Sequence, residues 1–187
     1  MKIRILLFVA VLGFTVTSCQ KFKDLTAVQK DVEFKVDIPL ETTDTVATSV
    51  NLKSVEATYP FSGSAEIDLE TDQDVKDYVN GLQSITAGDV IANFSGIGTD
   101  QVINSLIIHA EVVGTSDQAT FLGSNITSSN ADGWIMTAFK NFINSWNVQK
   151  NHKVKFSVSG EANFKMKNNG SVQAKITIPS TVKYSPL

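Results

Sequence analysis

Residues 31–38 read Asp-Val-Glu-Phe-Lys-Val-Asp-Ile, an unbroken alternation of charged and apolar side chains. Successive side chains of a β-strand point to opposite faces, so this alternation predicts a strand with one face in a core and the other in solvent. Proline has no backbone N–H to donate, and Pro39 is therefore expected to end the strand. The two-residue period makes β-structure the first hypothesis for the fold.

The same period recurs along the chain. It predicts strands over 46–59, after a threonine-rich linker, and over 65–69, 85–94 and 106–113. Between the first two of these, residues 60–63 read Pro-Phe-Ser-Gly and predict a turn. Segment 106–113 is apolar on both faces, which indicates a strand covered on both sides, with 131–146 as the covering element.

Two segments show the helical period instead. Residues 132–147 predict an amphipathic helix. The side chains that share its apolar arc are Trp134, Ile135, Ala138, Phe139, Phe142, Ile143 and Trp146. Residues 72–80 predict a shorter helix, because the sequence Thr-Asp-Gln-Asp at 71–74 resembles a capping box.

The carboxyl-terminal part predicts a β-hairpin over 153–179. Apolar residues alternate on both of its arms, and opposite residues of a hairpin must point to the same side of the sheet. A three-residue loop, 168–170, satisfies that condition, because it places Met166 opposite Val172 and Phe164 opposite Ala174. Gly170 then takes the left-handed position of the loop.

Composition and pattern together predict the fold class. The chain has 187 residues, of which 42% are hydrophobic and 19% charged, and this composition excludes a disordered or collagen-like protein. Short antiparallel strands with one firm helix predict a mainly β fold, either an antiparallel β-sandwich or an antiparallel sheet covered by the helix. We expect a single globular domain over 30–187.

The amino terminus has the three parts of a secretory signal. Lys2 and Arg4 precede an apolar run over 5–14, which is too short to span a membrane, and small residues follow it. This amino-terminal signal ends in Val-Thr-Ser-Cys at 16–19, and Cys19 is the only cysteine of the chain. These four residues, Val16, Thr17, Ser18 and Cys19, resemble the lipobox of bacterial lipoproteins, which signal peptidase II processes.

The resemblance implies where in the cell the protein is located. A lipoprotein would lose 1–18 as a signal peptide and carry acyl chains on Cys19, and two or more acyl chains hold a protein stably on a membrane. Segment 19–29 would be the acylated cysteine and its tether. We expect a lipid-anchored protein of the cell envelope, at the outer membrane, with the periplasmic and surface-exposed sides both open.

The sequence contains no recognisable catalytic or metal motif. One cysteine excludes disulfide frameworks and thiolate-rich zinc sites, and His109 and His152 lie in none of the known histidine motifs. Acids cluster over 66–77, but an EF-hand that began at Asp68 would need glycine where Gln73 stands. We interpret these acids as a solvated strand face followed by a helix start. No catalytic residue, metal or cofactor is expected.

Lysines dominate the end of the chain, where Glu161 is the only acid after Gly133. The lysines predicted to point outward from the hairpin are Lys153, Lys155, Lys165, Lys167 and Lys175. Two interpretations remain: a basic face for anionic lipid or polysaccharide, or charge pairing with neighbouring acidic strands, which we favour. Nucleic acid is not an expected partner. The sequence at 44–46, Asp-Thr-Val, resembles an O-glycosylation acceptor of bacterial envelope proteins and marks Thr45.

Four aromatic residues are candidates for a ligand surface. Trp134 and Trp146 share the apolar arc of the predicted helix, which favours core packing over a sugar platform. Tyr59 and Phe61 lie beside the predicted turn and are the alternative aromatics for a ligand.

Three functional hypotheses follow. The first is a membrane-anchored envelope lipoprotein that serves as a binding or adhesion module for a carbohydrate or protein partner. The alternative is a structural accessory lipoprotein of an envelope assembly with no small ligand. The third, a hydrolase with spatially assembled carboxylates, is not expected. A pocket with exposed aromatics would favour the first, a flat apolar patch or open edge strand the second, and a buried carboxylate pair the third.

Overall fold

The computed structural model describes residues 27–43, 57–167 and 170–186. The described residues form nine strands, one α-helix and one 3₁₀ helix. The strands are β1 (Val28–Thr42), β2 (Tyr59–Asp68), β3 (Leu82–Ala87), β4 (Ile91–Ser95), β5 (Ile103–Val112), β6 (Gln118–Ile126), β7 (Trp134–Ile135), β8 (Lys153–Ala162) and β9 (Val172–Tyr184). The helices are the 3₁₀ helix Lys76–Gly81 and α1 (Thr137–Ser145). None of the described helices has the length and apolar composition needed to cross a membrane.

The strands form one curled antiparallel sheet. Its order is β6-β5-β8-β2-β1-β9-β4-β7, and β3 also pairs with β9. We call β1, β9, β3, β4 and β7 the β1 half, and β2, β8, β5 and β6 the β8 half. Among the described strands, the two halves pair where the end of β1 reaches β2, through the pairs Glu41 with Ser62 and Thr42 with Phe61. The alternating apolar residues of both halves share one core. The predicted mainly β fold is confirmed.

The first strand is longer than its alternation predicts. Strand β1 runs through Pro39, which pairs with Gln173 of β9. The Pro39 carbonyl faces β2, where a Cβ on Gly63 would collide with it. In an antiparallel strand the N–H and C=O of one residue point to the same side. The missing N–H of Pro39 therefore points away from β9, toward β2, with which β1 pairs only from Glu41 onward.

The predicted turn at 60–63 is wrong, because these residues belong to β2, which pairs along its whole length with β8. Gly63 has a different function from that of a turn residue. It leaves room for the backbone of β1 to cross close to β2 at Pro39. The acidic strand predicted over 65–69 is confirmed as the second part of β2, with Ile67 and Leu69 buried.

The predicted hairpin over 153–179 is also wrong. Strand β8 lies between β2 and β5, and β9 lies between β1 and the pair β3 and β4, so the described strands β8 and β9 belong to different halves. Both have alternating apolar residues because both line the same core, and alternation alone does not identify a strand's neighbour. The connection between them is held to β1, since the Met166 N–H donates to Thr42 Oγ1 at 2.8 Å. Gly170 has the predicted left-handed backbone, with φ of 66°.

The predicted helix over 132–147 is shorter in the structure. Trp134 and Ile135 form β7 against β4, and the Met136 N–H donates to the Val90 carbonyl, so the chain is still extended where the apolar arc begins. Helix α1 buries Phe139, whose ring lies 6.1 Å from that of Phe156 on β8.

Helix α1 closes the gap between the two halves. Its Asn144 Oδ1 accepts a hydrogen bond from the Ala87 N–H of β3 at 2.7 Å, while Phe139 packs on β8. The expectation that 131–146 covers a second face of 106–113 is therefore wrong. The outer face of β5 is uncovered, and Ile107 on that face is 44% exposed.

Two further boundaries differ from the prediction. The short helix expected over 72–80 is a 3₁₀ helix over Lys76–Gly81, because Asp72 accepts the Asp74 N–H in a local turn instead of capping an α-helix. The strand expected over 85–94 is divided into β3 and β4, which pair with different stretches of β9 on either side of Gly88.

We expect Gly160→Ala to destabilise the fold, because a Cβ there would collide with the Ser105 carbonyl of β5 and lie 2.8 Å from Phe61 Cζ. The expected loss in the free energy of unfolding is about 1–3 kcal/mol, measured by denaturant titration. Gly98→Ala is the control, since a Cβ there meets only the flexible Gln101 side chain. Equal stability of Gly160→Ala and the native protein would contradict the close approach of β8 and β5.

Candidate functional site

The outer face of the β8 half is an ordered array of cross-strand rows. Ile107 of β5 lies between Leu122 of β6 and Ser159 of β8. The next row has His109 between Thr120 and Ser157. The row after that has Glu111 between Gln118 and Lys155. The apolar row is therefore flanked on one side by a hydroxyl-bearing row and then a charged row, and on the other side by Ser105, which lies between Ser124 and Glu161.

The apolar row of the face is exposed to solvent. Leu122 is 71% exposed and its cross-strand neighbour Ile107 is 44% exposed. A single exposed apolar residue is ordinary on a protein surface, whereas two in direct register form a patch that a partner can cover. We call Ile107 and Leu122 the apolar pair.

The apolar pair lies at an open edge of the sheet. Strand β6 is the last strand of the described sheet order, and it pairs only with β5. Natural proteins commonly protect such edges with charges, prolines or very short strands. The opposite edge follows that rule, since β7 has two residues. Strand β6 has nine residues, and no charged residue or proline occurs from Gln118 to Ala131.

The charged rows support the charge-pairing interpretation of the lysines. Lys155 lies opposite Glu66 of β2 and Glu111 of β5, and Lys153 lies opposite Asp68. On the β1 half Lys175 lies opposite Asp37. Lys165 and Lys167 lie in the connection between β8 and β9 and are exposed. The lysines of the strands thus neighbour acids instead of forming a separate basic face.

One ion pair in these rows shifts the ionisation of both partners. Lys153 Nζ lies 2.9 Å from Asp68 Oδ2. This hydrogen bond lowers the pKa of the Asp68 carboxyl below its usual value, and the Glu70 N–H that Asp68 also accepts lowers it further. The same hydrogen bond raises the pKa of the Lys153 ammonium.

Both histidines have close side-chain partners. His109 Nδ1 lies 3.2 Å from Thr120 Oγ1 and its Nε2 lies 4.0 Å from Glu111 Oε2, and His152 Nδ1 lies 3.0 Å from Glu70 Oε1. Each histidine therefore has one carboxylate beside it. Across the described residues no three His, Cys, Asp or Glu side chains gather into a metal-binding group.

The acids of 66–77 take part in local turns and surface ion pairs. Asp68 accepts the Glu70 N–H and Asp72 accepts the Asp74 N–H. Lys30 Nζ lies 3.4 Å from Asp74 Oδ1. In the part of the chain that the structure describes, Ser180 is the only buried polar residue, so these residues contain no enclosed pair of carboxylates. The expectation that the protein is not an enzyme stays a prediction.

The candidate aromatics are mostly packed. Phe61 and Trp146 are buried in the core. Trp134 is half-buried, donates from Nε1 to the Asn130 carbonyl at 2.7 Å, and meets the Phe121 ring edge-on at 5.9 Å. Tyr59 is half-buried, and Lys165 Nζ lies 5.5 Å from its ring centroid. The structure therefore does not bring these four rings together as a platform.

Cys19, the lipobox and most of the tether 19–29 lie outside the described residues, as do Thr45 and most of the predicted strand 46–59. The structure thus leaves the lipid-attachment prediction untested.

The apolar pair is the feature that the sequence prediction missed. The pattern at 106–113 placed Ile107 on a second face and predicted a cover for it. Strand β6 was not predicted, because Phe121 and Leu122 are adjacent and interrupt the alternation. A usable signal was the uncharged stretch from Gln118 to Ala131, which is unusual in a strand that has no second neighbour.

No protein-family model and no curated protein sequence matches the chain. Among solved structures, Mud crab tombus-like virus is 4% identical, with a TM-score of 0.42 over 86% of this chain and 81% of that one. Cocksfoot mottle virus is 9% identical, with a TM-score of 0.40 over 85% and 95%. TmCBM61 in complex with beta-1,4-galactotriose is 8% identical, with a TM-score of 0.33 over 84% and 88%. At these identities and TM-scores the likeness says nothing about what this chain binds.

The Asp68–Lys153 pair predicts a pH dependence of stability. Asp68 has a lower pKa in the folded than in the unfolded protein, so its stabilisation is present above the unfolded pKa of about 3.9 and is lost as pH falls through the folded value. We expect Asp68→Asn to lower the Tm at neutral pH and to differ little from the native protein in strong acid, as thermal melts across pH would show. The effect should be small and weaken in high salt, because both groups are partly exposed.

Glu66→Gln is the matched control, since Glu66 is on the same strand and forms no short ion pair with any described residue. An Asp68→Asn variant whose Tm stayed below the native value by the same amount at every pH would show that packing, not ionisation, was lost.

Proposed function

We propose that this protein is a lipid-anchored envelope lipoprotein that works by protein–protein contact, with the apolar pair and the β6 edge as its interface. The observation that carries the proposal is the exposure of Leu122, at 71%, beside Ile107 on an open, uncharged edge strand. Covering two aliphatic side chains contributes about 25 cal/mol per Å² of apolar area removed from water.

Protein contact has more support than carbohydrate contact, the other partner class that the sequence predicts. Carbohydrate sites use aromatic rings whose faces are free, whereas Trp134 packs against Phe121 and the Tyr59 ring has Lys165 over it. A face on which an apolar row is flanked by polar rows on both sides resembles a protein interface, in which a small apolar core has a polar rim.

The anchor in this proposal is the acylated Cys19. The lipobox resemblance and the position of the chain's only cysteine support it. The first described strand begins at Val28, so the tether between Cys19 and the sheet is about nine residues and spans at most roughly 30 Å. The tether therefore holds the start of β1 within that distance of the membrane surface.

Cys19→Ala should move the protein from the membrane fraction to the soluble fraction, because the acylated thiol is lost. The measurement is fractionation of cells followed by a carbonate wash. Ser18→Ala is the matched control and should stay membrane-bound, since alanine is another small residue of the lipobox. Membrane retention of Cys19→Ala after the wash would contradict the anchor.

A photo-crosslinking amino acid in place of Leu122 should form a covalent adduct with a protein in intact cells, detected as a shift on a denaturing gel. The same amino acid in place of Lys35, an exposed residue on the outer face of β1, is the control and should form none. No adduct at position 122, or equal adducts at both positions, would contradict the proposed interface.

A further inference from the structure

We propose that the partner at this edge is a second copy of the chain, with β6 pairing antiparallel to β6 about a two-fold axis through Leu122. This proposal rests on the proposed function, from which it takes the β6 edge as the interface. It adds which protein binds there and which residues of the two β6 strands pair. An isologous interface of this kind is the commonest symmetry of protein dimers.

The edge of β6 is free to take a strand. No described strand lies beyond it, and no described side chain is hydrogen-bonded to the backbone of 118–124. Further along the strand, the Asn125 carbonyl accepts a hydrogen bond from Asn130 Nδ2, and Asn125 has a positive φ of 55°. The open edge therefore covers most of β6 and ends near Asn125.

Symmetry restricts the register to a few choices. A two-fold axis normal to the sheet keeps outer faces together, so a residue must pair with one of the same parity, and the axis must pass through a residue. Leu122 is the midpoint of Gln118–Ile126, and an axis there pairs 120–124, all within the open edge, with the same residues of the second copy. An axis at Phe121 would instead set two large rings against each other at the edge of the core.

The chemistry of β6 suits its own copy in this register. The two Leu122 side chains meet on the outer face and extend both apolar pairs into one patch of four residues. On the inner face Phe121 lies opposite Gly123, which has no side chain of its own and is lined by Leu106 and Trp134 of the same chain. Thr120 lies opposite Ser124, so two hydroxyls face each other. Because β6 is uncharged, no like charges oppose one another in the paired strands.

The choice of a second copy follows from what an edge requires of its partner. A strand is added to such an edge by another extended segment whose backbone groups are unpaired. The neutral edge of β6 meets this condition. Every second copy of the chain presents the same edge, so the partner strand is present wherever the protein is. A foreign partner would need the same property from a strand that the structure does not contain.

The dimer also sets the orientation on a membrane. Two copies anchored in one bilayer must have their two-fold axis along the bilayer normal. The axis through Leu122 is normal to the sheet, so the strands of the β8 half would lie parallel to the membrane surface and both tethers would start at similar heights.

Leu122→Cys in the full-length lipoprotein tests the register. Directly opposed residues of antiparallel strands have Cα atoms about 4.5–5.5 Å apart, which is within the range that a disulfide spans. We expect most of the Leu122→Cys protein to migrate as a dimer on a non-reducing gel and as a monomer after reduction. The parent chain, with Cys19 as its only cysteine, should remain monomeric on the same gel.

Thr120→Cys and Ser124→Cys are matched controls on the same strand and face. Each cysteine would lie four residues, or about 13 Å, from its symmetry mate, too far for a disulfide. Each variant alone should stay monomeric, whereas their co-expression should give a mixed dimer. This pattern holds only for an antiparallel pair centred on Leu122.

Two outcomes would overturn the proposal. Disulfide dimers of Thr120→Cys as abundant as those of Leu122→Cys would show unspecific contact. A monomeric Leu122→Cys protein would exclude self-pairing. The photo-crosslinker at Leu122 then shows whether the proposed protein interface also fails. An adduct whose mass is not twice that of the chain leaves the proposed protein interface standing, and no adduct removes both.

Discussion

The pairing of the first strand with the last is the constraint on which the rest of this structure depends. Strand β1 and β9 are in register from Val28 with Tyr184 to Leu40 with Val172. From Val32 to Leu40 in β1 and from Val172 to Ile178 in β9 every second residue is apolar and buried, so a shift of one strand by one residue would turn its buried face outward. Strand β9 then provides the second edge to which β3 and β4 are added, and the end of β1 carries the sheet into the β8 half.

The sequence predicts which residues are buried better than it predicts which strands are neighbours. Alternation at 31–38 and 65–69 gave the correct buried faces, because the pleat of a strand depends only on local geometry. The hairpin prediction failed for the same reason. Alternation is equally satisfied by two strands that pair and by two strands that face each other across a core, and 153–179 contains the second case.

At the candidate site, too, some features were predictable from the sequence and others were not. Charge pairing of Lys153 and Lys155 with acids was predicted from composition, because adjacent strands of opposite charge stabilise one another. The exposure of Ile107 was not predicted, since it depends on where α1 packs. The apolar arc of α1 identified a buried face correctly at Phe139 and Ile143, but the pattern does not contain the information that this face closes the gap between two halves of a sheet.

Pairing between β1 and β9 also has a consequence for the order in which the chain folds. Apart from its end at Glu41 and Thr42, which pairs with β2, β1 has no partner strand until β9 has been synthesised, so most of it stays unpaired while the β8 half forms from β2, β5, β6 and β8. Contacts between residues so distant in sequence close late and slowly, because the entropy of a long loop is lost before they form. Completion of the fold is therefore tied to the synthesis of β9, the last strand of the sheet in chain order.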